Sequence, residues 1–194
     1  MRVLVDTCVI IDALQSRVPF AEAAQKLFIY SANMQFEGYI TAKSITDIYY
    51  LTHRLTHSDA ETRKILSKLF TLFHLLDTTS LDCRKAISSE IGDYEDAIMV
   101  ETAIRSEMDC IVTRNVKDYA KSSVKVCEPS ALIKLLEEEK VAVVPGTAFG
   151  DCGAHLCKRH QYLWIHPSFS ECLPCNHRQA GVCLLHEFWR CEFE

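Results

Sequence analysis

The sequence has no excess of positive charge. Its 194 residues carry 21 Lys and Arg against 26 Asp and Glu, a formal net charge of -5. That excludes a non-specific nucleic-acid coat, though a local basic patch is still allowed. A long apolar run is also missing. The opening MRVLVDTCVIID interrupts its hydrophobic stretch with Asp6 and Asp12, so it is neither a signal peptide nor a membrane span. The expected location is cytoplasmic. There is no convincing internal repeat and no low-complexity tract. No Ser–His–Asp pattern is evident, and His53, His57 and His74 sit in no motif, so a protein nucleophile is not expected. Cysteine is sparse in the first 140 residues, where Cys8, Cys83, Cys110 and Cys127 are scattered. In the cytosol such thiols stay reduced rather than forming a disulfide framework.

What is present is ordinary soluble composition, 48% apolar and 24% charged, enough for one domain with a real core and a small appendage. Short β-branched or apolar runs at 2–5, 38–40, 73–76 and 110–113 read as strands. Helices are expected over 7–16, from Pro19 to about Asn33, from Ala42 (capped by Thr41) to about Leu55, from Ser58 to about Thr71, from Ser80, over Asp93–Ser106 and over Pro129–Leu136. Strands alternating with helices predict an α/β fold. It would be a parallel twisted sheet of about four strands flanked by helices, followed by an irregular C-terminal tail. Ligands of such sheets bind outside the carboxyl ends of the strands.

That rule places the acids. Asp6 follows the first strand. Asp47 lies about a turn into the helix after the second. Asp93 and Asp96 begin the helix before the fourth, and Thr113 and Asn115 follow that strand. Each has an ordinary structural explanation: Asp93 caps a helix, Glu95 and Asp96 complement its dipole, and Asp47 is a solvated helix acid. The i, i+3 spacing of Asp93 and Asp96 would put both on one helix face. Jointly they suggest a site. Clustered carboxylates repel one another, and a hard cation with oxygen ligands, Mg²⁺ or Mn²⁺, relieves that repulsion.

Four blocks, "VLVDTCVIID", "TAKSITDIYYL", "DYEDAIMVETA" and "IVTRNVKDY", follow in order. In them the first 136 residues resemble the PIN-domain nucleases, in particular their bacterial toxin-like branch. The resemblance implies a metal-dependent endoribonuclease that hydrolyses RNA phosphodiester bonds, in the role of the toxin of a toxin–antitoxin pair. It implies Asp6, Asp47, Asp96 and Asn115 as catalytic residues, and metal ligation by Asp6, Asp96, Asp47 and Asp93. The family's Thr or Ser after the fourth strand maps onto Thr113; Arg114 and Lys117, with Lys121 and Lys125, form a local basic stretch that could track a phosphate backbone or be an ordinary solvated loop, and Thr113, Arg114 and Lys117 are the expected substrate contacts. Glu95 is expected to point away. The implied partners are RNA, a cognate small antitoxin protein and a second copy of the chain in a homodimer. Two positions depart from the family pattern. Cys8 stands where many relatives have Asn, so a hydrogen bond orienting Asp6 is expected to be missing. Asn115 stands where many have Asp, which removes one negative charge.

Rival acidic α/β folds fit less well. Haloacid dehalogenase-like phosphatases need a second Asp at position 8. Response-regulator receivers need a Lys after a late strand. A PIN-like scaffold that binds RNA or a partner without cutting stays open, on the strength of Asn115.

Composition changes near residue 150, and residues 137–194 are expected to be a linker and an irregular Cys- and His-rich tail. The stretch "LLEEEKVAVVPGTAFGDCG" (135–153) resembles a short piece of class I aminotransferases without the rest of such an enzyme. Cys172-x2-Cys175 could open a zinc module. The favoured expectation is a fused or frameshifted scrap, because its apolar residues follow no period.

Overall fold

The computed structural model describes residues 1–142, with side chains to Glu138. The aminotransferase-like stretch beyond Ala142 and the Cys172/Cys175 zinc alternative lie outside the described residues.

Five strands form one parallel sheet: β1 (Arg2–Val5), β2 (Glu37–Thr41), β3 (His74–Leu76), β4 (Cys110–Val112) and β5 (Lys125–Cys127), in the order β3-β2-β1-β4-β5. The helices are α1 (Thr7–Leu14), α2 (Ala21–Ala32), α3 (Ala42–Thr56), α4 (Asp59–Leu72), α5 (Ser80–Ala86), α6 (Tyr94–Arg105) and α7 (Pro129–Ala142). The α/β reading of the sequence holds, with one strand more than expected. β5 is a three-residue edge strand, too short to show a period.

The side-chain alternation of β1 sorts the helices into two layers. Val3 and Val5 face a core with residues of α1, α2, α3, α4 and α7. Leu4 faces the other way, into a core with Ile111 of β4 and Ala97, Ile98 and Ala103 of α6. Burial on both faces explains why β1 is a continuous apolar run. Each fully buried large side chain here, such as Phe28, Leu4 or Ile111, stabilises by about 1.5–3 kcal/mol. Local chemistry sets the helix starts. The hydroxyl of Thr41 accepts from the Ser44 N–H, and that of Ser58 from the Glu61 N–H. Thr79 and Asp82 form a reciprocal capping box, and Asp82 also accepts from Arg105 Nε at 2.9 Å. That contact ties α5 to α6 and fixes the helix that carries the acids.

Gly38 of β2 shows how closely α2 and α4 press on the sheet. A Cβ there would lie 2.6 Å from Phe73 Cδ1 and 2.8 Å from Ser31 Oγ. Phe73 is buried, edge-on to Phe28 at 5.1 Å, and Ser31 Oγ donates to the Leu72 carbonyl at 2.7 Å. Neither can yield freely. Gly38→Ala is expected to cost about 1–3 kcal/mol by overpacking, read as a lower urea midpoint at unchanged slope.

Candidate active site

The strand order reverses at β1. The chain first builds outward through β2 and β3, then returns to the other side of β1 as β4 and β5. This is the switch point at which α/β sheets open a crevice. Val5 pairs with Val112, so Asp6 and Thr113 emerge side by side at the carboxyl ends. A cleft of about 300 Å³ lies there, lined by Asp6, Thr7, Lys43, Asp47, Tyr50, Leu51, Glu95, Asp96 and Met99.

Asp6 is held firmly. The Asp6 N–H donates to the Val112 carbonyl at 2.9 Å. Its Oδ2 accepts from the Thr113 hydroxyl at 2.7 Å and from Cys8 Sγ at 3.2 Å. The orienting bond expected to be lost with Cys8 is therefore present in weaker form. Burial, and after it the charge of Asp6, pushes the Cys8 thiol up to about 12, so it keeps the proton it donates. Thr113 is fully buried and outside the cleft lining. It positions Asp6 instead.

Asp96, in the first turn of α6, accepts from the Tyr119 hydroxyl at 2.7 Å. Burial, together with the charges of Asp6, Asp93 and Asp118, raises its carboxyl to about 6, against the lowering effect of the Tyr119 bond. Asp47, from α3, has a buried Oδ2 with no aligned hydrogen bond. Lys43 Nζ lies 2.9 Å from that oxygen and 2.8 Å from Glu95 Oε2. Glu95 thus lines the cleft through Lys43, and does not point away.

Three further expectations change. Asp93 is absent from the cleft lining. It is the N-cap of α6, and its Oδ1 accepts from the Glu95 N–H at 2.8 Å and the Asp96 N–H at 3.2 Å. Arg114 is likewise absent from the cleft lining. Its Nη1 donates to both oxygens of buried Asp12, at 3.0 and 3.1 Å, and its guanidinium lies 4.6 Å over the Phe20 ring. Asn115 is exposed and outside the cleft lining; it contributes its backbone N–H, donated to Thr113 Oγ1 at 3.0 Å. Lys117 is exposed on the short 3-10 turn Val116–Tyr119. The sequence reading missed Lys43 and the bond from Tyr119. The i, i+4 spacing of Lys43 and Asp47 was the available signal for the first.

The donor chemistry fits a hard divalent cation: Asp6, Asp47 and Asp96 are all oxygen donors around one cleft, one with a buried oxygen that has no aligned hydrogen bond and one with a raised pKa. Among the described residues no three acidic, His or Cys side chains already converge as a metal-binding group. A Mg²⁺ that keeps most of its waters needs only one or two direct carboxylates.

The PIN domain family matches over residues 2–117. A toxin–antitoxin complex from Klebsiella pneumoniae has a similar structure, with 22% identity, a TM-score of 0.51, and coverage of 66% of this chain and 97% of the other. DNA-bound VapBC from Salmonella typhimurium is similar at 12% identity and a TM-score of 0.50, over 66% of this chain and 98% of the other. At these identities the likeness is one of fold. Among curated proteins none matches. The comparisons give the aminotransferase-like stretch no support. Among the described residues no helix is long and apolar enough to cross a membrane.

Proposed function

From the premise that the chain belongs to the PIN-domain family, we propose that it is a Mg²⁺- or Mn²⁺-dependent endoribonuclease and the toxin of a toxin–antitoxin pair. The observation that carries the reading is the meeting of Asp6, Asp47 and Asp96 on one cleft at the sheet's switch point.

Asp6 and Asp96 would hold the cation, with Asp47 as third donor. Thr113 and Cys8 fix Asp6 by Oδ2, and Tyr119 fixes Asp96 by Oδ1, so each carboxylate has one oxygen to offer in a set orientation. A cation held there would supply a lowered pKa for a water and an offset to the charge growing on the phosphate. Asp93 and Asn115 act at a remove, one by fixing the start of α6 and the other by bonding Thr113. Lys117, exposed on the turn beside the site, is the remaining member of the implied substrate contacts able to meet a phosphate backbone. The test is cleavage of single-stranded RNA in Mg²⁺ or Mn²⁺ and its loss in EDTA. RNA binding without cutting under both conditions would favour the scaffold reading.

A proton and the cation compete for Asp96. Below about pH 6 its carboxyl is protonated and must lose that proton to bind. Mn²⁺ affinity measured by calorimetry is therefore expected to be flat above about pH 7 and to weaken roughly tenfold per unit below pH 6. A profile flat through pH 5 would exclude Asp96 as ligand.

The partner proposed is a small antitoxin, by analogy with the fold's complexes. Growth arrest on expression, relieved by a neighbouring gene product, is the expected result. The homodimer is likewise proposed, to be read from light scattering.

A further inference from the structure

The cleft wall carries four carboxylates, Asp6, Asp47, Glu95 and Asp96, and, among the described residues, one base, Lys43. An anionic substrate entering such a cleft meets repulsion unless cations intervene. The base expected from the sequence to help, Arg114, is bound to Asp12. Lys43 stands in the first turn of α3 and bridges Asp47 of the same helix to the more exposed Glu95 in the first turn of α6. Its ammonium lies 2.9 Å from Asp47 Oδ2, the buried oxygen that has no aligned hydrogen bond.

A divalent ion on that oxygen and the Lys43 ammonium would be two cations within a few ångströms. Both cannot stay. Glu95, with its side chain 69% exposed, tethers the displaced lysine at the mouth, where a phosphodiester would enter. We infer that Lys43 is the internal counter-cation of the cleft, which yields Asp47 to the divalent ion and turns to the phosphate of the bound nucleic acid. The inference rests on the nuclease reading above. Lys43 is a positioning residue in the free protein and a substrate contact in the complex.

Two measurements test it on the full chain. In calorimetry with Mn²⁺ alone, Lys43→Met is expected to bind on the order of tenfold tighter, because it removes a positive charge a few ångströms from the ion. In steady-state cleavage of a single-stranded RNA oligonucleotide at saturating Mn²⁺, it is expected to raise KM about tenfold while kcat stays within about twofold, since the lost contact is to bound substrate. The log–log salt dependence of kcat/KM should fall by about 0.7, one phosphate contact on a single strand. Lys43→Arg should restore KM and the salt slope. Wild type that binds Mn²⁺ with Lys43→Met no tighter overturns the role of Lys43 and leaves the nuclease reading standing. Unchanged KM and salt slope overturn its substrate role in the same way. Wild type that binds no Mn²⁺ and cuts no RNA overturns the nuclease reading, and this inference with it.

Discussion

Asp96→Asn is expected to lower RNA cleavage at least about a thousandfold and to make the metal-free chain more stable. Both effects come from one environment. Desolvation and three neighbouring acids hold the Asp96 carboxyl at about 6, above an unfolded value of about 3.9. The folded state therefore binds the proton more tightly than the unfolded state. The stabilisation this gives is present at low pH and lost as pH rises through about 4 to 6. Above that window the wild type keeps a charge that its surroundings disfavour. A shift of two units corresponds to about 2.7 kcal/mol at most. Partial solvent access at a half-buried side chain cuts this to about 1–2 kcal/mol. Asn keeps the shape and an oxygen for the Tyr119 hydroxyl, but it supplies neither the charge nor the ligand strength of a carboxylate. Its melting temperature should be a few degrees higher than wild type at pH 7.5 in EDTA, and the two curves should converge at pH 4. Glu95→Gln, at an exposed side chain whose bond is to Lys43, should reduce cleavage by only a few fold. Equal loss from the two substitutions would remove Asp96 from its assigned place.

The layout of the site could be read from the sequence wherever a strand end decided it. Asp6 and Thr113 are each the first residue past a buried apolar run, so the parallel sheet alone brings them together. Asp96 and Asp47 needed only the helix starts, and Thr41 and Asp93 mark these by capping. The inference failed where side-chain direction mattered. Asp93 and Asp96 are three apart, but the i, i+3 rule holds for residues inside a helix. Asp93 stands outside it, with φ −91° and ψ 128°, and its carboxylate turns back onto the N–H groups of the first turn. Cys8 reads as a loss because it stands in place of Asn, yet its thiol still donates to Asp6 Oδ2. The Lys43–Glu95 bridge joins residues far apart in sequence on two helices, and no local pattern encodes such a contact. β5 pairs with β4 over three residues at the sheet edge, and its stretch KVC opens on a lysine of the basic run instead of reading as an apolar run.

Arg114 is where sequence and structure part furthest, and Arg114→Met separates the two readings. In the sequence it opens a basic stretch and reads as a phosphate contact. In the fold it lies against Asp12, whose side chain is 2% exposed. Burial pushes the Asp12 carboxyl up, while Arg114, and more distantly Arg17, work to hold it down. Removing the guanidinium leaves a buried carboxylate without its main counter-charge, a loss of about 3 kcal/mol where such pairs have been broken. Met keeps most of the side-chain volume over Phe20, so the loss is chiefly electrostatic. Without Arg114 the folded-state pKa of Asp12 must rise further above its unfolded value. The variant's deficit should then be greatest near pH 7.5 and shrink as pH falls and Asp12 takes up a proton. Urea unfolding at pH 7.5 and pH 5 measures both. Cleavage per folded molecule and its salt dependence should stay within about twofold of wild type, because the guanidinium is not part of the cleft wall. Wild-type stability combined with weakened RNA binding and a shallower salt slope would return Arg114 to the substrate. A deficit that grows toward low pH would contradict the buried-charge account of Asp12.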